Sequence, residues 1–224
     1  FNRLNWIRGY SLEEDLKPQS INLNFVDPKL KKLSEVLFQS INYNKPQKNI
    51  NENWLFWSEG SVSVGGVGST KNSSRKDISS NAITLGFDKK TDEKTVQGYT
   101  ITYTDEDVDV GNKGTSTDID AYSFSTYRTL NIGKNKYLEG ILGLSRLDFK
   151  NIRKDGNNTL NGDRNGNQVF GSLHYINTFK KDKRDISPNF KLDISHTTLD
   201  DYSEKGINAL QYDKQTVETL GISG

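Results

Sequence analysis

The 224-residue sequence contains no cysteine and no methionine, two histidines and four prolines. Without cysteine there is neither a disulfide framework nor a cysteine-based metal site, a usage compatible with an oxidising compartment. Two histidines fall short of the roughly three or four ligands that a zinc site needs. Charge of one sign is lacking too: 26% of residues are charged, yet the formal net charge is +1. The basic excess of a nucleic-acid binder is therefore missing. No uncharged apolar run approaches the roughly 18 residues of a membrane-spanning helix, which says nothing about strands, because alternating barrel segments escape hydropathy windows. Hydrophobic residues make up 32% of the chain and the mean hydropathy is −0.76, lean for a chain of this length that must fill its own core. With no initiating Met and no signal-peptide pattern at Phe1, the chain reads as a piece of something larger.

What is present from Trp54 onward is alternation. Apolar and polar residues take turns over about 54–68, 78–90, 95–105, 119–132, 136–150, 167–180, 187–199 and 213–224, the period of a two-faced strand. Ile83, Leu85 and Phe87 share one side and Thr84, Gly86 and Asp88 the other; Phe190, Leu192 and Ile194 oppose Lys191, Asp193 and Ser195. The links at 88–94, 133–135 and 180–185 are short. Those at 69–77, 106–118, 151–166 and 200–212 are longer and rich in Gly, Asn, Asp, Ser and Thr, residues of turns and loops. Such a long–short rhythm belongs to an antiparallel meander whose two rims face different compartments.

Two folds use strands of this kind. A soluble sandwich buries the apolar face against a second sheet, whereas a membrane barrel turns it to lipid and keeps polar groups inside. Strand length favours the barrel, because spanning strands need roughly 9–11 residues while soluble strands cluster near about 5–6. Aromatic residues near strand ends (Trp54, Phe56 and Trp57; Tyr127 and Tyr137; Tyr175 and Phe179) suit interfacial girdles, although sandwich cores also use aromatics.

Trp57-x-x-Gly60, Leu85-Gly86-Phe87-Asp88, Gly98-Tyr99-x-Ile101-x-Tyr103, Tyr127, Leu142-Gly143, Pro188-x-x-x-Leu192 and Tyr202-x-Glu204-x-Gly206 follow one another in this order. Together they resemble the translocator β-domain of type V secretion autotransporters. The resemblance implies an all-β transmembrane barrel of about twelve antiparallel strands, of which this chain supplies about eight. It thus implies a partial barrel at 54–224, incomplete at its C-terminus and without the terminal aromatic residue usual in such barrels. It also implies an N-terminal linker, here residues 1–53. Within that linker, Asp27-Pro28 followed by Leu30, Leu33, Leu37 and Ile41 predicts a helix over about 28–42, with Asp as N-cap and Pro at the first helical position. In the family, a helical linker threads the lumen towards the secreted passenger; the stripe equally suits packing against a passenger domain.

Other motifs carry less. Gly65-Gly66-x-Gly68 has neither the following helix nor the lysine of a phosphate loop. Asp155-Gly156-Asn157 and Asp163-x-Asn165-Gly166-Asn167 place oxygen ligands near calcium-loop spacing, but the bidentate Glu is missing, so turn chemistry is favoured. His174 and His196 form no triad or metal constellation; His174 shares a face with Ser172 and Thr178, and His196 is in phase with Leu192 and Ile194. Asparagine-driven autocleavage finds no Asn pair in the predicted helix.

Glu59, Asp88, Arg128, His174, Lys191 and Asp193 have the phase expected of a lumen wall. The resulting expectation is a non-enzymatic translocator and anchor in the bacterial outer membrane, without metal or cofactor. Its partners would be outer-membrane lipid, a covalently attached passenger and the barrel-assembly machinery, with no nucleic acid. A diffusion porin, or a soluble adhesin or carbohydrate-binding module, is the alternative.

Overall fold

In a computed structural model, the described residues are Arg3, Leu4, 54–71, 73–181 and 184–224. They form twelve strands: β1 (Trp54–Val67), β2 (Lys76–Asp92), β3 (Thr95–Val110), β4 (Thr115–Gly133), β5 (Lys136–Asp155), β6 (Asn158–Asn177), β7 (Phe179–Lys181), β8 (Arg184–Ile186), β9 (Asn189–Leu199), β10 (Tyr202–Ser203), β11 (Gln211–Tyr212) and β12 (Gln215–Ser223). Eight of them make one antiparallel meander in the order β1-β2-β3-β4-β5-β6-β9-β12, and β7–β8 and β10–β11 are small hairpins in its connections. The predicted helix at 28–42 lies outside the described residues. Among the described residues no helix is long and apolar enough to cross a membrane.

The eight predicted strands are all present, but two predicted long loops are not loops. Residues 106–110 and 115–118 extend β3 and β4, and 151–155 and 158–166 extend β5 and β6, leaving turns of only Gly111–Gly114 and Gly156-Asn157. Residues with turn propensity accept the extended conformation when a neighbour on each side completes their backbone hydrogen bonds, so pairing overrides local preference. Asp163 and Asn165 accordingly sit inside β6 opposite Lys150 and Asp148, while Asp155-Gly156-Asn157 makes the hairpin turn, with Gly156 at φ +57°. At the other rim the β2–β3 and β4–β5 links are tight, and Asn135 takes the left-handed conformation at φ 59°. The link expected at 180–185 is longer, running from 178 to 188 around the β7–β8 hairpin.

Register sorts side chains into rows that cross the sheet. One face carries the row Trp57, Gly86, Thr100, Ser125, Gly143, Phe170 and Ser195. Its hydroxyls pair across strands, as Thr84 with Thr102 at 2.9 Å and Ser123 with Ser145 at 2.8 Å. The opposite face carries Leu85, Ile101, Phe124, Leu144 and Val169 in one row. That face is bare. Ile101 is 62% exposed and Leu144 58%, and Phe190, Leu173 and Ile194 are exposed as well. The buried cluster of the described residues lies on the polar face, where Leu4, Val96 and Tyr127 meet Trp57 and Ile141, while Ile83, opposite Tyr103, is the buried hydrophobic residue on the apolar side. A sandwich would cover the apolar face with a second sheet; here every long strand belongs to one sheet, and a contiguous apolar band of this size calls for another solvent.

Rings tile the apolar face near the short-turn rim. Trp54 and Phe56 contact Phe87, with centroids 5.3 and 5.9 Å away, and Phe87 and Tyr99 follow at 5.4 Å. Tyr103 and Tyr122 pair at 5.1 Å nearer the long-strand rim. Trp57, Tyr127 and Tyr137 do not join these girdles as the sequence suggested: their register places them on the polar face.

Candidate functional site on the polar wall

The polar face is built around missing side chains. Gly86 pairs with Trp57 and Gly98 with Tyr127, and each ring lies across its glycine partner. A Cβ on Gly86 would stand 2.3 Å from the indole, and one on Gly98 2.1 Å from Cζ of Tyr127. Phe170 covers Gly143 in the same way. Only a glycine permits this approach, because any β-carbon would occupy the volume of the ring.

The two rings converge on Asp88. The Trp57 Nε1–H donates to the Tyr127 hydroxyl at 3.1 Å, and that hydroxyl donates to Asp88 Oδ2 at 2.5 Å. Arg3 completes the carboxylate with a two-pronged contact, Nε to Oδ2 at 2.7 Å and Nη2 to Oδ1 at 2.9 Å, and its guanidinium lies 5.7 Å from the Trp57 ring centre. Asp88 is 0% exposed and Leu4 2%. An arginine fork matches a carboxylate in plane and charge, and removal from water strengthens each of these bonds. Chain from far upstream of β1 is thus seated on the wall of the sheet.

Further along the same face, register brings together Glu139, His174 and Lys191, with Ser172 and Asp193 in the adjoining row. Glu139 Oε2 is 3.3 Å from His174 Nδ1, Ser172 donates to Asp193 at 2.5 Å, and Lys191 approaches Asp193 at 2.9 Å. Glu59 belongs to this face as well, opposite Thr84. Arg128 does not. It lies between the buried Tyr127 and Thr129, in phase with Phe124, and therefore points to the apolar side near the end of β4. Its long stem reaches the polar boundary from there, which a charge deeper in the apolar band could not do. His196 is on the apolar side too, 3.3 Å from Glu218.

Sequence reasoning missed Arg3, Glu139 and the inward role of Tyr127. Glu139 had a signal: it alternates with Leu138 and Gly140 and is in phase with Ile141 and Gly143. Arg3 had none, being 85 positions from its partner.

At the far rim the β9–β12 connection folds back over the same polar face. Tyr202 lies on Gly162, where a Cβ would be 2.5 Å from its ring, and stacks on Tyr212 at 4.7 Å. Glu204 accepts both Arg153 prongs, at 2.8 and 2.7 Å, and the Leu210 N–H at 3.0 Å. Gly206 turns at φ +139° against the Thr159 carbonyl and the fully buried Leu160. Tyr202-x-Glu204-x-Gly206 is therefore a loop latch. The Arg153 fork holds the Glu204 carboxyl below the usual carboxylate range. A lowered folded pKa contributes stability above the unfolded value of about 4.3, and that contribution is lost as pH falls through the folded value. Hydrogen-exchange protection across 200–214, relative to the intrinsic rate at each pH, should fall below about pH 4, whereas Glu204→Gln should be poorly protected at every pH. A loop equally protected at pH 3 and pH 7 would contradict the latch.

The family model for the autotransporter beta-domain matches residues 56–223. Among solved structures, the translocator domain of autotransporter NalP from Neisseria meningitidis has a similar fold, with a TM-score of 0.67 over 86% of this chain and 68% of that one, at 15% identity. No curated protein sequence matches the chain.

Proposed function

Because this chain belongs to the autotransporter β-domain family, we propose that it is an outer-membrane translocator and anchor that displays or exports a passenger attached upstream of β1. The observation that carries this reading is the side on which Arg3 and Leu4 sit: they occupy the polar face, opposite the bare apolar band. A barrel closed from such a sheet would satisfy its backbone hydrogen bonds in lipid and keep a polar lumen. Upstream chain bound to the inner wall is what a polypeptide that has entered the barrel would leave there. Residues 1–53 then serve as the linker, and Asp88, Glu139, His174, Lys191, Asp193 and Glu59 are wall groups that contact it or pair with one another. The partners in this reading are membrane lipid, the covalently attached passenger and the barrel-assembly machinery.

Two substitutions one residue apart test it. Ile101→Lys puts a charge in the apolar row and should cost at least about 2 kcal/mol of bilayer stability, with loss of surface-exposed passenger. Thr102→Lys points to the lumen and should leave both within a few-fold of the wild type. Equal effects of the two changes would defeat the membrane reading. The inward-folded β10–β11 loop is the one feature that favours a diffusion porin; steady conductance across a planar bilayer without passenger export would establish that instead.

A further inference from the structure

The two ends of the apolar face carry opposite charge. At the short-turn rim Lys89, Gln97 and Arg128 share one register row, and Lys136 follows two outward positions below Gly140, the partner of Arg128. Arg128 and Lys136 are exposed. The Lys89 ammonium stands 4.8 Å from the Trp54 ring, so the basic row borders the aromatic one directly. Lys94 and Lys134 sit in the adjoining turns. The acids there are fewer: Asp92 interacts with Arg128 but also accepts the Lys94 N–H at 2.8 Å, and Glu93 is in the turn.

At the opposite rim, just beyond the row of Tyr103, Tyr122 and Arg146, the next row is Asp105, Asp120 and Asp148, and the one after it Asp107, Asp118 and Lys150; Arg146 lies 3.5 Å from Asp148 and Lys150 3.7 Å from Asp120. Eight residues of β3 separate Gln97 from Asp105, roughly 26 Å along the strand at about 3.3 Å per residue. That length matches the apolar layer of a bilayer once tilt is allowed for, so both charged rows fall at headgroup depth.

We infer that Lys89, Arg128 and Lys136 form a docking belt for anionic phospholipid headgroups in the leaflet at the short-turn rim. The inference rests on the membrane reading above. Juxtaposed cations at a membrane surface attract negative lipid, and the effect adds over neighbouring residues. Interfacial Trp54 holds the Lys89 ammonium at that depth, and Lys89 and Arg128, two strands apart, are separated by roughly 10 Å, far enough to engage two lipids at once. At the other rim Asp105, Asp107, Asp118, Asp120 and Asp148 outnumber Arg146 and Lys150, so the net charge there repels the same phosphates and the preference belongs to one leaflet.

The test uses the full-length protein in bilayers of phosphatidylcholine with a trace of spin-labelled phosphatidylglycerol or spin-labelled phosphatidylcholine, read as the fraction of motionally restricted lipid. The wild type should favour the anionic label by about fivefold at low salt and lose most of that preference at 0.5 M salt, where screening is within about 4–5 Å. The triple variant K89Q/R128Q/K136Q should bind both labels equally. No preference in the wild type, or an undiminished preference in the variant or at high salt, would overturn the belt. A protein that restricts neither label is not in the bilayer, and that result would sink the membrane reading rather than the belt. The salt series on the wild type needs no variant and stands if the triple substitution impairs folding.

Discussion

Gly98→Ala should cost about 4 kcal/mol or more of barrel stability, far beyond the effect of one methyl group on an open strand. The added carbon would lie 2.1 Å from the Tyr127 ring, and backbone register fixes both residues opposite each other, so the ring has to leave. Overpacking alone costs roughly 1–3 kcal/mol. When the ring moves, its hydroxyl also abandons Asp88 and the Trp57 indole, and a buried carboxylate that loses a donor adds roughly 1–3 kcal/mol more. Urea unfolding in detergent, followed by Trp fluorescence, measures it. Tyr127→Ala in the Gly98→Ala background should restore part of the loss by vacating the collision, although the orphaned Asp88 remains. If the two changes simply add, the ring-on-glycine contact is not the cause.

Asp88→Ala should be comparably severe, at about 3–5 kcal/mol, because it strands a guanidinium that is largely removed from water. Arg3→Gln removes the other partner and leaves the carboxylate buried, with the Tyr127 hydroxyl still donating to it; it should cost less. The double variant should be no worse than Asp88→Ala alone, since neither charge is then left unpaired, and the shortfall from additivity measures the coupling. For function the prediction divides differently. Arg3→Gln should loosen the upstream chain on the wall, seen as faster proteolysis of residues before β1, while the barrel stays folded. Additive penalties, or unchanged proteolysis, would show that the Arg3 contact does not hold the linker.

These effects depend on pairs separated by 39 and 85 positions, Tyr127 with Asp88 and Arg3 with Asp88, and that separation explains what was legible beforehand. Alternation at Ile83, Leu85 and Phe87 against Thr84, Gly86 and Asp88 needs only neighbouring residues, so the two faces of β2 were readable from the order of amino acids. The placement of Glu59, Asp88, His174, Lys191 and Asp193 on one wall followed from the same parity. Arg128 broke the pattern because a charge at a strand end can belong to either face: near a rim its stem reaches water from the lipid side. Strand ends were misplaced at 106–118 and 151–166 because polar residues beyond the membrane have two wet faces and no hydrophobic period to report, while hydrogen bonding to neighbours extends them all the same.

The order of residues alone therefore determined the eight strands of the main sheet, the division into an apolar and a polar face, and the family, since each rests on a local period or on motifs read along the chain. Tertiary structure decided which glycine lies under which ring, that Asp88 is the receptor for Arg3, and that the Tyr202–Gly206 loop turns inward onto β5 and β6. Such contacts are set by the register between strands, which arises from the whole ladder of backbone hydrogen bonds and turn lengths, and a one-residue slip would exchange the two faces.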